Sequence, residues 1–156
     1  MFTELGTVRH RGAELSLTGS PTADLTLVAG AVLMRPRVTG QPVEDGRAGT
    51  RPVGQTGRLL TFNAHYAIAA IKGLSLTFNA AHHGERVADT LNRVVTPERT
   101  ILDAGLRHRF ALGKTPALLR FQVTNLTDAF DWQVAGSGSY QVNVPRTMTL
   151  FLTMDI

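Results

Sequence analysis

His82, His83 and Glu85 are the residues of this chain whose types first suggest chemistry, because imidazole and carboxylate both bind metal ions. They fall at the end of a run that reads as a β-strand, where neighbouring residues project to opposite faces. Both imidazoles would reach one ion only across a sharp bend, so the pair is not read as a metal site. Asp103, Arg107 and Arg109 share one face of a predicted strand, and Arg120 lies on the matching face of the next. Such a set makes either a charge ladder against another part of the protein or a solvated strand face. Glu14 is a further carboxylate of the same kind. No serine occupies a G-x-S-x-G elbow and no helix carries H-E-x-x-H. The run G-S-G-S at 136–139 precedes no strand-to-helix switch, so it reads as flexible loop rather than phosphate cradle. No catalytic constellation and no cofactor motif emerges; the expectation is not an enzyme.

The elements that carry these residues alternate in twos. The closing stretch from Arg146 to Ile156 puts Met148, Leu150, Leu152, Met154 and Ile156 on one face, with Thr147, Thr149, Thr153 and Asp155 on the other and Phe151 out of place. Its length matches the roughly 9–11 residues of a membrane-spanning β-strand. The same period marks Thr7 to Thr18, Leu25 to Val38 (more weakly), Arg58 to Ala69, Leu74 to Ala81, Thr100 to Phe110 and Leu119 to Thr124. Turn residues occupy 20–24, 70–73 and 113–116. Long polar stretches occupy 36–57, 84–98 and 125–143. The first holds three prolines and five glycines, and a linker between two domains is its alternative reading. The result is all-β: an antiparallel up-and-down meander of about seven strands, with no convincing helix. Its connections alternate short and long without exception, as in outer-membrane barrels, where short turns lie on the periplasmic side and long loops outside. Tyr66 and Phe110 then suit the periplasmic girdle, and Phe130, Trp132 and Tyr140 the outer rim. An open, curved sheet is expected in preference to a closed barrel.

Composition agrees. The 156 residues suit one domain and are 43% hydrophobic, with mean hydropathy near zero, as expected where lipid-facing and lumenal residues cancel. No apolar run approaches the length of a transmembrane helix. With no cysteine, disulfides and thiolate metal sites are excluded. The net charge of +4 is scattered, so a nucleic-acid partner is not expected. The first residues, M-F-T-E-L-G-T-V-R-H-R, are not a signal peptide.

Several segments together resemble the carboxyl-terminal part of TonB-dependent siderophore receptors. R-H-R-G-A-E-L-S-L (9–17) looks like the R-x-x-G-x-E-hydrophobic strand of that family, and R-F-Q-V-T-N-L-T-D (120–128) like its V-x-N-L-x-D segment. G-S-G-S-Y (136–140) followed by P-R-T-M-T-L-F-L (145–152) resembles its last loop and closing strand. Two positions depart from the pattern: Ile156 stands where the family usually ends in an aromatic residue, and Thr127 where an aromatic is frequent. The resemblance implies a partial transmembrane β-barrel over residues 1–156, in the outer membrane of a Gram-negative cell, with a periplasmic carboxyl terminus. The plug domain, TonB box and signal peptide of such receptors are expected to lie outside this sequence. It implies ferric siderophore uptake as the parent activity, with the chain alone incompetent for transport. Implied partners are the remaining barrel strands, the plug, outer-membrane lipid, the barrel-assembly machinery and, through the parent, the ferric siderophore and TonB. His10, His65 and His108 would be interfacial or lumenal. The alternative is a small soluble or self-associating β-barrel that binds an apolar ligand or a protein partner. Ligand-binding residues are unassigned at this stage.

Overall fold

The computed structural model describes residues 6–136 and 139–154; Ser137 and Gly138 of the G-S-G-S-Y run, and Asp155 and Ile156 of the closing strand, lie outside them. The strands in chain order are β1 (Thr7–Arg9), β2 (Gly12–Thr22), β3 (Leu25–Met34), β4 (Arg37–Thr39), β5 (Arg58–Ala67), β6 (Leu74–His83) and β7 (Arg86–Val87). They continue as β8 (Val95–Thr96), β9 (Arg99–Leu112), β10 (Thr115–Thr124), β11 (Trp132–Gly136), β12 (Ser139–Val142) and β13 (Thr147–Met154). A single helical turn, α1 (Gln41–Glu44), is inserted after β4.

Seven strands form one sheet in the order β13-β10-β9-β6-β5-β3-β2. Every pairing is antiparallel between strands adjacent in that order, so the sheet is the up-and-down meander expected. Its outer strands β2 and β13 are not paired with each other, and the sheet is open rather than closed. The register shows why the alternation was legible. Leu25, Tyr66, Leu76, Leu106, Phe121 and Leu150 are successive partners across six strands. One residue along, Thr26, His65, Thr77, Gly105, Gln122 and Thr149 form the adjacent row. Because the side-chain period is two, the first row belongs to an apolar face and the second to a polar one. The apolar face is bare: Leu15 and Leu17 are each 69% exposed. A continuous apolar surface of this extent demands a partner medium.

The strands depart from the sequence expectation where the backbone chemistry changes. Residues 20–24 were expected to be a turn, yet β2 runs to Thr22 and only Ala23 and Asp24 turn. Pro21 is tolerated because the register shifts between Gly19 and Thr22, so no regular ladder N–H is required there. The expected strand from Leu25 to Val38 breaks at Arg35 and Pro36, where proline has no N–H to continue the ladder. Beyond the break, β4 pairs with β1 as a separate two-stranded ribbon. The helical turn α1, with Pro42 in its first turn, is too short to carry a helical period and was not foreseen. At the tight connection of β5 to β6, Gly73 adopts φ +81° and its carbonyl accepts the Arg109 N–H at 2.9 Å, a conformation and approach that favour glycine.

Candidate functional site

The residues that could meet a ligand lie at two places, the cluster of long loops and the polar face of the sheet. Burial concentrates in the loops, since Val87 and Ala88, in the second long loop, are almost wholly inaccessible. The first long loop (36–57) packs against them, with the Gly54 N–H on the Val87 carbonyl at 2.9 Å and the Gly49 N–H on the Thr90 carbonyl at 2.7 Å. Asn92, in the left-handed conformation, accepts from the Arg51 N–H at 2.7 Å and donates to the Arg51 carbonyl at 2.9 Å. An Arg51–Glu85 ion pair of 2.8 Å adds to the same contact. From the other side, the Tyr140 hydroxyl of the third long loop donates to the Ala88 carbonyl at 2.8 Å. The second loop is thus held between the other two, and the three form one hydrogen-bonded body. Inside it, β7 pairs with β8 and β11 with β12. These pairings were not expected from the sequence, because strands of only two to five residues carry little readable period.

The third loop is closed by asparagines. Asn125, 3% exposed and in the left-handed conformation, donates to the carbonyls of Ala129 and Val144 at 3.0 and 3.1 Å. It also accepts the Ala129 N–H at 2.9 Å. Its own N–H reaches the Asp103 carboxylate at 2.9 Å. Asp128 accepts the Arg146 N–H at 2.9 Å. Asn143 accepts the Asp131 N–H at 2.7 Å and donates to the Ala129 carbonyl at 2.7 Å. The N-L-T-D segment of the sequence is therefore a clasp that ties both ends of the loop together. Beneath it, the Arg99 guanidinium and Asp131 carboxylate form a 2.6 Å ion pair, with the side chains 11% and 4% exposed. Arg86 adjoins this pair; burial, then the Arg99 charge, lowers its basicity, while Asp131 acts in the opposite sense. Neither Asn92 nor the Arg99–Asp131 pair was singled out from the sequence. Asn-x-x-Asp at 125–128 carried the one available signal, since asparagine and aspartate close turns through their own side chains.

On the polar face, Arg107 stands directly opposite Arg120, and Arg109 opposite Leu118. Arg107 and Arg109 line a cavity of about 550 Å³ with His65, Lys72 and Ser75, at the end of the sheet where the short turns lie. Arg107 and Arg120 line a second cavity of about 320 Å³ with Asn79 and Gln122. The expected grouping of Asp103, Arg107, Arg109 and Arg120 on one face is thus present. Asp103 binds the Asn125 N–H, and none of the six ion pairs among the described residues involves these three arginines. Glu14 faces the same side, opposite Val32.

His82 and His83 diverge as strand geometry requires. His82, opposite Leu60 on the apolar face, hydrogen-bonds the Thr100 hydroxyl at 3.0 Å, and Glu85 pairs with Arg51 instead. Among the described residues no three histidine or carboxylate groups gather in a manner that would hold a metal ion. His65 lies on the polar face. His108 lies on the apolar face, stacked on Phe110 with ring centroids 5.3 Å apart. Tyr66 and Phe110 sit on the apolar face toward the short turns. Phe130 and Trp132 meet edge to face at 5.9 Å in the third long loop.

No family model matches the sequence. The chain is 30% identical over 152 residues to the ferrichrome receptor FcuA of Yersinia enterocolitica, an alignment covering 96% of this chain and 20% of that protein. In fold it is similar to the ferric preacinetobactin receptor BauA of Acinetobacter baumannii, with a TM-score of 0.87 and 24% identity, over 99% of this chain and 23% of that one. It is also similar to the siderophore receptor PiuA of the same organism, with a TM-score of 0.72 and 18% identity, over 96% of this chain and 22% of that one. The chain therefore spans about a fifth of the length of the curated relative it matches. The resemblance to TonB-dependent siderophore receptors holds: over nearly all its length, in sequence and in fold, this chain is similar to part of such a receptor.

Proposed function

We propose that this chain forms the carboxyl-terminal part of the barrel wall of an outer-membrane receptor that takes up ferric siderophores. The observation that carries the proposal is the pairing of one continuous apolar face with loops sorted by length. All three long loops emerge at one end of the sheet and all three short turns at the other. In lipid the apolar face needs no further cover. The unpaired edges of β2 and β13 need neighbouring strands, because backbone groups cannot remain unsatisfied in hydrocarbon. Those neighbours are the other strands of the parent barrel, inserted by the barrel-assembly machinery. The polar face, with its uncompensated arginines, lines the lumen against the plug. The short turns and the carboxyl terminus face the periplasm, and the hydrogen-bonded loop body faces outward and takes part in siderophore capture. Uptake is energised through TonB in the parent receptor. The chemistry is binding and gated passage, with no covalent bond made or broken.

Substituting arginine on each face tests the membrane reading. Leu15→Arg and Phe62→Arg on the apolar face each cost about 2–4 kcal/mol if near the bilayer midplane. Ser16→Arg and Thr61→Arg, one residue along on the polar face, cost far less. The readouts are the amount of folded receptor in the outer membrane, by heat-modifiable mobility, and ferric siderophore uptake. Equal losses from both faces would refute the assignment.

A further inference from the structure

The polar face gathers cations at the short-turn end of the sheet and holds its carboxylates elsewhere. The cavity of about 550 Å³ at that end is lined by His65, Lys72, Ser75, Arg107 and Arg109, and the rest of its lining is apolar or glycine. The cavity of about 320 Å³ adjoins it through Arg107 and adds Arg120. No carboxylate lines either of them. Among the described residues, Lys72, Arg107, Arg109 and Arg120 make no ion pair. The Arg107 Nε is buried without a hydrogen-bond partner.

The carboxylates of the same face are too far away or otherwise engaged. Asp103 lies four residues along β9 from Arg107, about 13 Å at about 3.3 Å per residue, and accepts the Asn125 N–H. Glu14 belongs to the row of Val32, Leu59, His83 and Arg99, further still toward the long loops. Asp24, in the turn beside the cavity, gives its carbonyl to the Ala67 N–H at 2.8 Å and makes no ion pair among the described residues.

Arg107 and Arg120 oppose each other on neighbouring strands and repel, and the buried Nε adds an unmet hydrogen bond to that cost. An oxyanion relieves both. Small-molecule sites occupy about 300–1,000 Å³, so the larger cavity suits a whole small ligand rather than a single ion. Guanidinium forks take carboxylates and similar oxyanions through paired N–H donors, Lys72 supplies a third positive charge, and the apolar lining takes the carbon skeleton. The two cavities follow one another along the strands, from Asn79 and Gln122 to Lys72 and Gly73 in the short turn. On the uptake reading proposed above, on which this inference rests, that is the direction in which cargo leaves for the periplasm.

We propose that Lys72, Arg107, Arg109 and Arg120 form an exit-side binding site for an iron chelate carrying two or more negative charges, so that the parent receptor moves an anionic chelate rather than a neutral one. The site lies on the lumenal wall at the periplasmic mouth, apart from the long-loop body that takes part in capture.

The test uses the receptor in its full natural length, in whole cells and purified in mild detergent, alongside the variant Lys72→Gln/Arg107→Gln/Arg109→Gln. In detergent, calorimetry follows the binding of citrate, an iron-free tricarboxylate, with inorganic phosphate as the small-anion control. Loss of the charge-assisted hydrogen bonds of two guanidinium groups is expected to weaken citrate by at least about tenfold. Arg107→Lys/Arg109→Lys keeps most of the affinity, and the milder Lys72→Gln/Arg109→Gln shows a partial loss should the triple variant fold poorly. In cells, uptake is measured for a panel of ferric chelates, anionic catecholates and carboxylates on one side and neutral trishydroxamates on the other. The triple variant is expected to capture the anionic chelate from outside with unchanged Kd and to take it up more slowly. Equal citrate binding by wild type and folded variants overturns the proposal. So does phosphate binding as tightly as citrate, which would mark a general anion site, or uptake confined to neutral chelates. Failure of citrate to bind the wild type overturns it too; a lower unfolding midpoint of the plug in the variant would then give the cavity to carboxylates of the plug. Uptake of no chelate in the panel sinks the uptake reading itself, whereas anionic uptake untouched by the three substitutions sinks only this site.

Discussion

Replacing Asp131 by asparagine removes the anionic half of the ion pair that lies under the third long loop. Arg99 and Asp131 meet at 2.6 Å with little solvent access, so the guanidinium left behind has no water shell to replace its partner. Arg86 is already disfavoured as a cation by burial and by Arg99, and without Asp131 the two arginines face each other unrelieved. Breaking a buried pair on one side costs about 3–5 kcal/mol. At 1.4 kcal/mol per tenfold, the opening constant of the loop rises by roughly two to three and a half orders of magnitude. Hydrogen exchange reads this directly: amides of 128–134 and 139–144 in the full receptor exchange faster, while those of the central strands keep their protection. The double variant Arg99→Leu/Asp131→Leu regains most of the protection, because removing both charges also removes the desolvation cost. Exchange in Asp131→Asn within about threefold of wild type would refute the reasoning. So would a double variant as labile as the single one, which would mean that the pair's charge has no part in holding the loop.

Tyr140→Phe deletes the one described hydrogen bond from the third loop to the Ala88 carbonyl; a loss of about 0.5–1.5 kcal/mol is expected, seen as faster limited proteolysis in 88–95 and 139–144 with the strands intact. Gly73→Ala forces a left-handed residue to carry a Cβ toward the Arg109 carbonyl, and is expected to lower refolding yield and melting temperature, whereas Gly19→Ala, with open space around it, changes neither much. The Asp89 carboxyl is held below its ordinary value chiefly by the Val94 N–H at 2.7 Å. A depressed carboxylate stabilises the folded loop above its unfolded value of about 4, and that stability is lost as pH falls through the lower folded value. Protection of the 89–94 segment should therefore weaken as pH falls below about 4, and Asp89→Ala should remove the pH dependence; an unchanged acid profile would discard this role for Asp89.

The two faces of the sheet were legible because a strand repeats every two residues and seven strands keep one register. Leu25 to Leu150 could be placed on a single face from sequence spacing alone. Local exceptions were less legible even where their cause was printed in the chain. Pro36 ends the β3 ladder, yet apolar residues on both sides of it kept the run looking continuous. Pro21 is a turn residue by type, and it stays within β2 where the register with β3 shifts between Gly19 and Thr22. The loop body was almost invisible. Asn92, Asn125 and Asn143 act through side-chain bonds to backbone groups far along the chain, which leaves no periodic trace. Asn125 and Asp128 were noticed as part of a family-like segment, while their work in closing the loop had to be seen in the structure. The charged residues fall between these cases. Their shared face followed from spacing, but the direct opposition of Arg107 and Arg120 depended on the register between β9 and β10, which the sequence does not state.

On the membrane reading proposed above, stability in this chain is divided between two media. The sheet is a single layer whose larger apolar side chains remain exposed, so its folded state depends on what covers that face. The loop body depends on hydrogen bonds and one buried ion pair, and it encloses Val87 and Ala88 without help from lipid. A charge placed at Phe62 should therefore empty the membrane of receptor before any loop contact is disturbed. Asparagine at Asp131 should leave receptor abundance near normal and loosen the loops alone. The second loop lies between the other two through Asn92, Gly54 and Tyr140, so loosening one contact lowers the order of all three. A ligand that touches the first and third loops at once would have to order them together. It would therefore lose affinity on Tyr140→Phe or Asp131→Asn even where neither residue touches it. A siderophore held by one loop alone would show no such loss.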